Sequence, residues 1–409
     1  MSDLQAITNC GPLPDDRSDL PGLFQGARPQ VKGIERMARE ASTLLEKREV
    51  EYLDIQVRSV LNRCSSPRMP FTWTINPYRG CEFGCRYCYA RYTHEFMGLN
   101  RWEDFEEKIY VKRDAARILA RELTPERLTG QSIALGTATD PYQPAERRYR
   151  VTRSLLTVMA AARDLRLSIS TKSDLVTRDI DLLRRIGERS SVQVNLTVTT
   201  LDRRLTRILE FHAPTPELRL KALRALRQAR IVAGINIAPI MPDITDDRAN
   251  LEEMIAAARH HDATHVFANV LFLKPSAQQA FFPFLERHFP HLRKRYAARF
   301  ARSAFLDHSY KDRIFRLVAD LKRKHGFPDG PEFEMPAALH DSEAEQLPLL
   351  QVDPPRPTAP RPATRHSAPD CHVPDIRTRW AASGARCPDT ATTAVHPPTR
   401  RARFGGEVY

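Results

Sequence analysis

Between residues 72 and 273 the chain alternates, six times over, between a short aliphatic run and a longer amphipathic stretch. The short runs, 72–76, 132–136, 167–171, 192–198, 232–239 and 265–273, are rich in Val, Ile, Leu and Thr, as buried parallel strands are. The stretches between them, 113–123, 152–165, 180–189, 216–229 and 249–260, carry apolar residues at helical spacing. RLKALRALRQA at 219–229 shows the pattern plainly, a Leu/Ala stripe with arginines opposite. Repeated β–α units require a parallel sheet with right-handed crossovers. Six units fall short of the eight of a closed barrel. The predicted fold class is therefore α/β, a partial (β/α)6 TIM-like barrel whose chemistry collects at the C-terminal ends of its strands.

Around that core the expected organisation has four parts. Residues 1–65 are an N-terminal lead-in, with one helix expected over 34–46 (IERMAREASTLLE). Residues 66–276 are the barrel. Residues 277–345 are a basic helical extension, read either as a solvated face closing the barrel or as a surface for nucleic acid or another partner. Residues 346–409, rich in Pro and Arg, lack the apolar residues to bury a core and are expected to be a disordered tail. Lys and Arg number 63 against 50 Asp and Glu, a net charge of +13. That balance favours phosphate-bearing partners, nucleic acid among them, although part of the excess sits in the tail. No run approaches the roughly 18 apolar residues of a membrane span. The first residues have no basic start followed by an apolar core, so a cytoplasmic, membrane-free protein is expected. Its oligomeric state is not specified by the sequence.

The seven cysteines are Cys10, Cys64, Cys81, Cys85, Cys88, Cys371 and Cys387. An odd number without a secretory signal argues against a disulfide scaffold. Three of them fall within NPYRGCEFGCRYCYAR, spaced x3 and then x2. Iron–sulfur cubes normally take four thiolates, so three leave one iron open to a small molecule. Gly80 and Gly84 let the loop wrap closely around an inorganic core. Other readings compete: a zinc site recruiting His94, an electron-transfer cluster completed by Cys64, or buried structural thiols. Cys371, His372 and Cys387 in the tail fit no tight ligand spacing.

The triplet, with Tyr87 just before its last cysteine, resembles the signature of the radical S-adenosylmethionine (SAM) superfamily. RMPFTWTINPYRGCEFGCRYCYAR, ALGTATDPYQPAE, TKS and APTPELRL resemble, in order, the branch related to spore photoproduct lyase. The resemblance runs from about Val60 to about Leu273 and implies a partial (β/α)6 barrel. It implies a [4Fe–4S] cluster on Cys81, Cys85 and Cys88, with SAM chelating the fourth iron. Reductive cleavage to a 5′-deoxyadenosyl radical, hydrogen abstraction from substrate and an electron donor such as a flavodoxin or ferredoxin follow from it. Tyr87 would line the adenine pocket, with a plain core aromatic as the alternative, and Tyr89 would face the substrate side. Thr139 and Asp140 would meet the ribose and amino group, unless they only cap a turn. Lys172 would pair with the SAM carboxylate, unless it is a solvated surface lysine. Thr197 would contact the cofactor, with Asn195 on the same strand face, and Arg219 would approach the carboxylate. Glu210 stands where relatives show Glu-Pro, here followed by Phe211. The lyase's hydrogen-returning cysteine corresponds to Thr137, whose O–H bond is too strong for that task, and Tyr142 is the substitute donor considered. Three functions stay open: a radical enzyme, lyase-like, on a nucleic-acid substrate; one on a peptide or small metabolite; and a non-enzymatic zinc- or cluster-binding module.

Overall fold

The structure is a computed structural model that describes residues 33–46, 50–66, 69–124, 128 and 131–328. The tail expected at 346–409, with Cys371, His372 and Cys387, lies outside these residues, as does Cys10. Among the described residues the strands are, in chain order, β1 (Ser42–Glu46), β2 (Glu51–Asp54), β3 (Asn62–Arg63), β4 (Trp73–Ile75), β5 (Tyr78–Arg79), β6 (Lys108–Val111), β7 (Ser132–Leu135), β8 (Arg166–Thr171), β9 (Ser191–Thr197), β10 (Val232–Ile240) and β11 (Val266–Val270).

Each of the six aliphatic runs is a strand, and together they form the parallel part of one sheet ordered β11-β10-β9-β8-β7-β4-β3. Only β3, at one edge, is antiparallel. Ile75, Leu135, Ile169, Val194, Leu196 and Ile235 are all buried, because helices cover one face and the barrel interior closes the other. The covering helices include Ala115–Glu122, Val151–Met159, Ile180–Gly187, Pro216–Gln228 and Arg248–His260. Their starts follow local chemistry: Pro216 opens one helix, and the Asp247 carboxylate accepts the Asn250 N–H at 2.9 Å to cap the next. The partial (β/α)6 barrel is thus the fold. β11 and β3 are its two edges, with no backbone ladder between them.

The basic segment after β11 is helical, over Pro275–His288, Arg293–Arg299 and His308–Lys324. No helix among the described residues is long and apolar enough to cross a membrane.

The helix expected over 34–46 is corrected. It ends after Gly33–Arg39, and Ser42–Glu46 becomes β1, antiparallel to β2. Ile34, Met37 and Ala38 do form a helical stripe, packed on a small core with Leu53, Ile55, Met97 and Tyr110. Past Arg39, pairing with β2 competes successfully with helical propensity, and the Thr43 hydroxyl donates to Glu51 at 2.8 Å. The same strands build a second sheet, ordered β1-β2-β6-β5, that the aliphatic pattern did not announce. Its strands EYLD, KIYV and YR are short, and each carries charge. Because β2 pairs with β6, the segment expected as a lead-in is built into the body carrying the cysteine triplet.

Candidate active site

The triplet sits on the loop that leaves β5, just beyond the end of β4. Gly80 and Gly84 have φ of +83° and +62°, conformations that favour glycine. A Cβ on Gly80 would lie 2.7 Å from the Lys108 carbonyl, so the loop rests directly on the backbone of β6. Its backbone groups are held by distant parts of the chain. Cys81 N–H donates to Phe105 O at 2.9 Å. Gly80 O accepts from Thr139 Oγ1 (2.5 Å) and from Gln143 Nε2 (3.0 Å), while Gln143 Oε1 accepts the Glu82 N–H (3.1 Å). Cys85 O accepts from Arg91 (2.8 Å), whose guanidinium also binds Trp102 O (2.7 Å) and Glu106. On the far side Cys85 forms an antiparallel bridge with Glu210, reinforced by Arg86 N–H to Leu209 O at 2.9 Å.

Cys81 and Cys85 are buried and Cys88 partly so, all as free thiols. Burial pushes all three thiols up, Cys85 to about 12. Cys81 is raised further by Asp140 and by the other two thiols, which places the three within reach of one another. Lys172 works the opposite way on Cys85 and Cys88. Ligation by a metal would be what converts such thiols to thiolates.

The residues expected to meet SAM divide into two groups. Lys172 lies beyond the end of β8 with its ammonium 5.6 Å from the centroid of the Tyr87 ring, making no ion pair among the described residues. Burial opposes its charge, and the neighbouring Cys85 and Glu210 more than offset that and raise its pKa. Thr197 ends β9, buried, on the same strand face as Asn195. The second group is taken up in holding the site together. Thr139 donates to Gly80 O. Asp140 accepts from Thr171 Oγ1 (2.6 Å), Lys172 N (2.7 Å) and Tyr142 N (2.9 Å), which fixes the strand end that carries Lys172.

Arg219 is engaged by groups of the protein itself. Its guanidinium is fully buried, paired with Glu210, and donates to Thr197 O (2.9 Å) and Pro214 O (2.9 Å). Glu210 in turn accepts from the Tyr87 hydroxyl and from Thr199 Oγ1 (2.6 Å). Burial works against both charges, yet their attraction holds Glu210 below the usual carboxylate range and Arg219 above its own. Asn195 accepts from His265 at 2.7 Å and donates to Ser168 at 3.0 Å, deeper in the barrel. Tyr142 is not brought to the triplet either. Asp140 binds its backbone N–H, and its buried phenol turns toward Asp179 and Glu146 in the core. Tyr89, the residue after the last cysteine, donates to Thr137 O and packs against Phe272, ring centroids 5.0 Å apart and tilted by 36°.

His94 and Cys64, the further ligands of two competing readings, each have contacts away from the loop. His94 is packed between Phe105 and Tyr110 with Nε2 3.1 Å from Lys108 O, and burial lowers its pKa to about 4. Cys64 lies beside Tyr92, and its backbone N–H donates to Thr72 O at 2.8 Å. Among the described residues no three His, Cys, Asp or Glu side chains meet as ligands of a single ion. Zinc gathers its ligands on one centre, whereas a cubane takes each thiolate on a different iron. The three thiols share one short loop, as a cubane that takes each thiolate on a different iron would require.

Residues 75–255 match the family model of the Radical SAM superfamily. An uncharacterized protein of Mycobacterium tuberculosis is 33% identical over 322 residues, covering 78% of this chain and 91% of that protein. The chain belongs to the radical SAM superfamily. An uncharacterized protein of Methanocaldococcus jannaschii is 29% identical over 242 residues, 59% of this chain and 85% of its own. Among solved structures, spore photoproduct lyase is similar over 67% of this chain and 79% of its own, at 14% identity and a TM-score of 0.49. For this radical SAM protein the matched segment spans the triplet, Lys172, Thr197, Glu210 and Arg219 together. Gln143 and Arg91 are the site residues that sequence reasoning missed. Arg91 stood in view three residues after Cys88, whereas Gln143, the residue before Pro144, carries no signal of its own.

Proposed function

We propose that this protein is a radical SAM enzyme that binds a [4Fe–4S] cluster through Cys81, Cys85 and Cys88 and acts on a phosphate-bearing substrate such as nucleic acid. When bound and reduced by a donor such as a flavodoxin or ferredoxin, the cluster with SAM supplies a 5′-deoxyadenosyl radical that abstracts hydrogen from substrate. The observation that carries the reading is the loop: three free thiols on one short segment, its backbone held by hydrogen bonds from Thr139, Gln143, Arg91 and Phe105.

The chain's own residues would divide the work. Lys172 supplies a positive charge beside Cys85 for the SAM carboxylate, in a low-dielectric setting where attraction is strong. Asp140 orients Lys172 through its backbone. The Thr197 hydroxyl offers a hydrogen bond from the end of β9. Tyr87, fixed by Glu210 and Thr199, forms a wall of the pocket that excludes water. Tyr142 is enclosed in the core, and Tyr89, bonded to Thr137 O, is the phenol we assign to the substrate side.

The test is anaerobic reconstitution with iron and sulfide, followed by reduction with SAM present. The expected result is a brown protein that releases 5′-deoxyadenosine. An intact cluster with no 5′-deoxyadenosine refutes the activity, and a colourless protein carrying one zinc per chain refutes the cluster.

A further inference from the structure

Phe211 is 59% exposed, more than any other large apolar side chain among the described residues. It lies in the turn after the helix Arg203–Leu209, and the exposed His212 ring packs edge-on against it, centroids 4.6 Å apart. One exposed ring is ordinary on a protein surface. What sets this one apart is what lies beneath it. Cys85 is bridged to Glu210, the residue before Phe211. His212 N–H donates to Phe83 O at 3.2 Å, and Arg86 N–H to Leu209 O at 2.9 Å. A Cβ on Gly84 would come within 3.5 Å of His212 Cδ2. Residues 83–86 and 209–212 thus run side by side, and a single thickness of chain separates Cys85 from solvent.

The surround of the turn is basic. Arg204 and Arg207, on the helix that leads into it, are exposed and make no ion pair among the described residues. Arg203 is paired with Glu217 at 3.4 Å. The Asp202 carboxylate is occupied in capping the helix, accepting from the N–H groups of Arg204 and Leu205 at 2.7 and 3.1 Å. On the cysteine loop itself, the partly exposed Arg86 holds its guanidinium 5.4 Å from the centre of the partly exposed Trp102 ring. Aromatic rings and arginines are the side chains that contribute most at protein contacts. A positive surround selects a partner whose rim is acidic.

Electrons and substrates make different demands on a protein. A substrate has to enter the barrel, whereas an electron only has to cross a wall, and its transfer slows steeply as that wall thickens. The thin wall over Cys85 is therefore suited to electron entry. We propose that the Phe211–His212 turn, with Arg204 and Arg207, is the docking surface of a small acidic electron-carrier protein. One electron leaves the carrier, which is oxidised by one equivalent, and the same electron reduces the group held by Cys81, Cys85 and Cys88. No atom is exchanged. Complexes of this kind are transient and small, below about 1,200 Å² of buried surface, and are steered by charge. The inference deepens the proposed function and rests on it for the identity of the group being reduced.

The experiment uses the full chain, reconstituted anaerobically with iron and sulfide, and a bacterial flavodoxin as the probe. Binding of oxidised flavodoxin is measured by calorimetry at low and at high salt. It is expected at low salt and should weaken at least tenfold at high salt. Phe211→Ser, and separately the double variant Arg204→Glu/Arg207→Glu, should each weaken it at least tenfold, while Phe211→Trp keeps it. Arg185→Glu, on the exposed face of Ile180–Gly187, should change nothing. In hydrogen exchange, bound flavodoxin should slow the amides of residues 207–212 and leave those of 180–187 alone. With reduced flavodoxin as the electron source, 5′-deoxyadenosine should form at least tenfold more slowly in the two weakened variants. With dithionite in its place they should match wild type. Absence of flavodoxin binding by wild type overturns the proposal, as does wild-type binding in both variants. A lowered iron content or dithionite rate in both also overturns it, because the turn would then serve to support the loop. If a ten-residue oligothymidylate displaces flavodoxin and itself binds both variants tenfold more weakly, the surface belongs to nucleic acid and the proposal fails. If wild type sediments as a dimer that Phe211→Ser dissociates, a second copy covers the turn and the proposal fails equally. Failure of docking leaves dithionite-driven 5′-deoxyadenosine formation standing. Failure of that reaction, with the cluster intact, refutes the proposed activity and leaves the binding result in place.

Discussion

The buried Glu210–Arg219 pair yields the sharpest stability prediction. Both side chains are wholly enclosed. Arg219 is otherwise tied to Thr197 O and Pro214 O, and Glu210 to Tyr87 and Thr199. Glu210→Ala leaves a guanidinium buried without a counter-charge, a loss of about 3–5 kcal/mol. For an ordered body of this size each kcal/mol moves the unfolding temperature by roughly 2–4 °C, so the expected drop is about 6–20 °C. Arg219→Met should cost a similar amount by stranding the carboxylate. The double variant Glu210→Leu/Arg219→Met removes both charges and should sit above the sum of the two losses by at least about 2 kcal/mol. The measurement is thermal unfolding by circular dichroism on the metal-free chain. Glu210 is held below its ordinary pKa of 4.5, so its contribution is present above that pH and fades as pH falls through the lower folded-state value. The gap between wild type and Glu210→Gln should therefore narrow in acid. A Glu210→Ala loss under about 1 kcal/mol, or strict additivity in the double variant, would refute the reasoning.

Two further predictions concern the loop and its neighbour. Gly80→Ala should abolish cluster assembly, because the left-handed turn and the close Lys108 carbonyl leave a side chain no place; iron content and visible absorbance after reconstitution measure it, and wild-type loading would count against the account. Burial lowers the pKa of Lys112 to about 7 from the usual 10.5. The unfolded chain binds that proton more readily, so this residue's contribution to stability rises from about pH 7 to about 10.5. Chemical denaturation across that window should show a climb in wild type that Lys112→Met lacks.

The aliphatic alternation was enough to place all six parallel strands, because strands buried on both faces are mostly apolar. The triplet was equally legible, since its chemistry depends on spacing within one short segment. What lay hidden was pairing over distance. The four-residue strands EYLD and KIYV have no periodicity to read, and only their pairing with each other makes a sheet. Ser42–Glu46 continued a helical pattern locally and was drawn into β1 by a partner nine residues on. Arg219 and Tyr142 were expected to face ligands because of where they fall in the chain. Their neighbours in space, Glu210 in one case and Asp179 with Glu146 in the other, gave them different work.

The anchoring of the cysteine loop has a consequence for which substitutions can disturb it. Gln143, Arg91, Phe105 and the Leu209–Glu210 segment restrain the loop through their own bonds. Part of the entropy of fixing its backbone is thus offset by contacts far along the chain. Changes at those four anchors would loosen the cysteines from a distance, with no thiol altered.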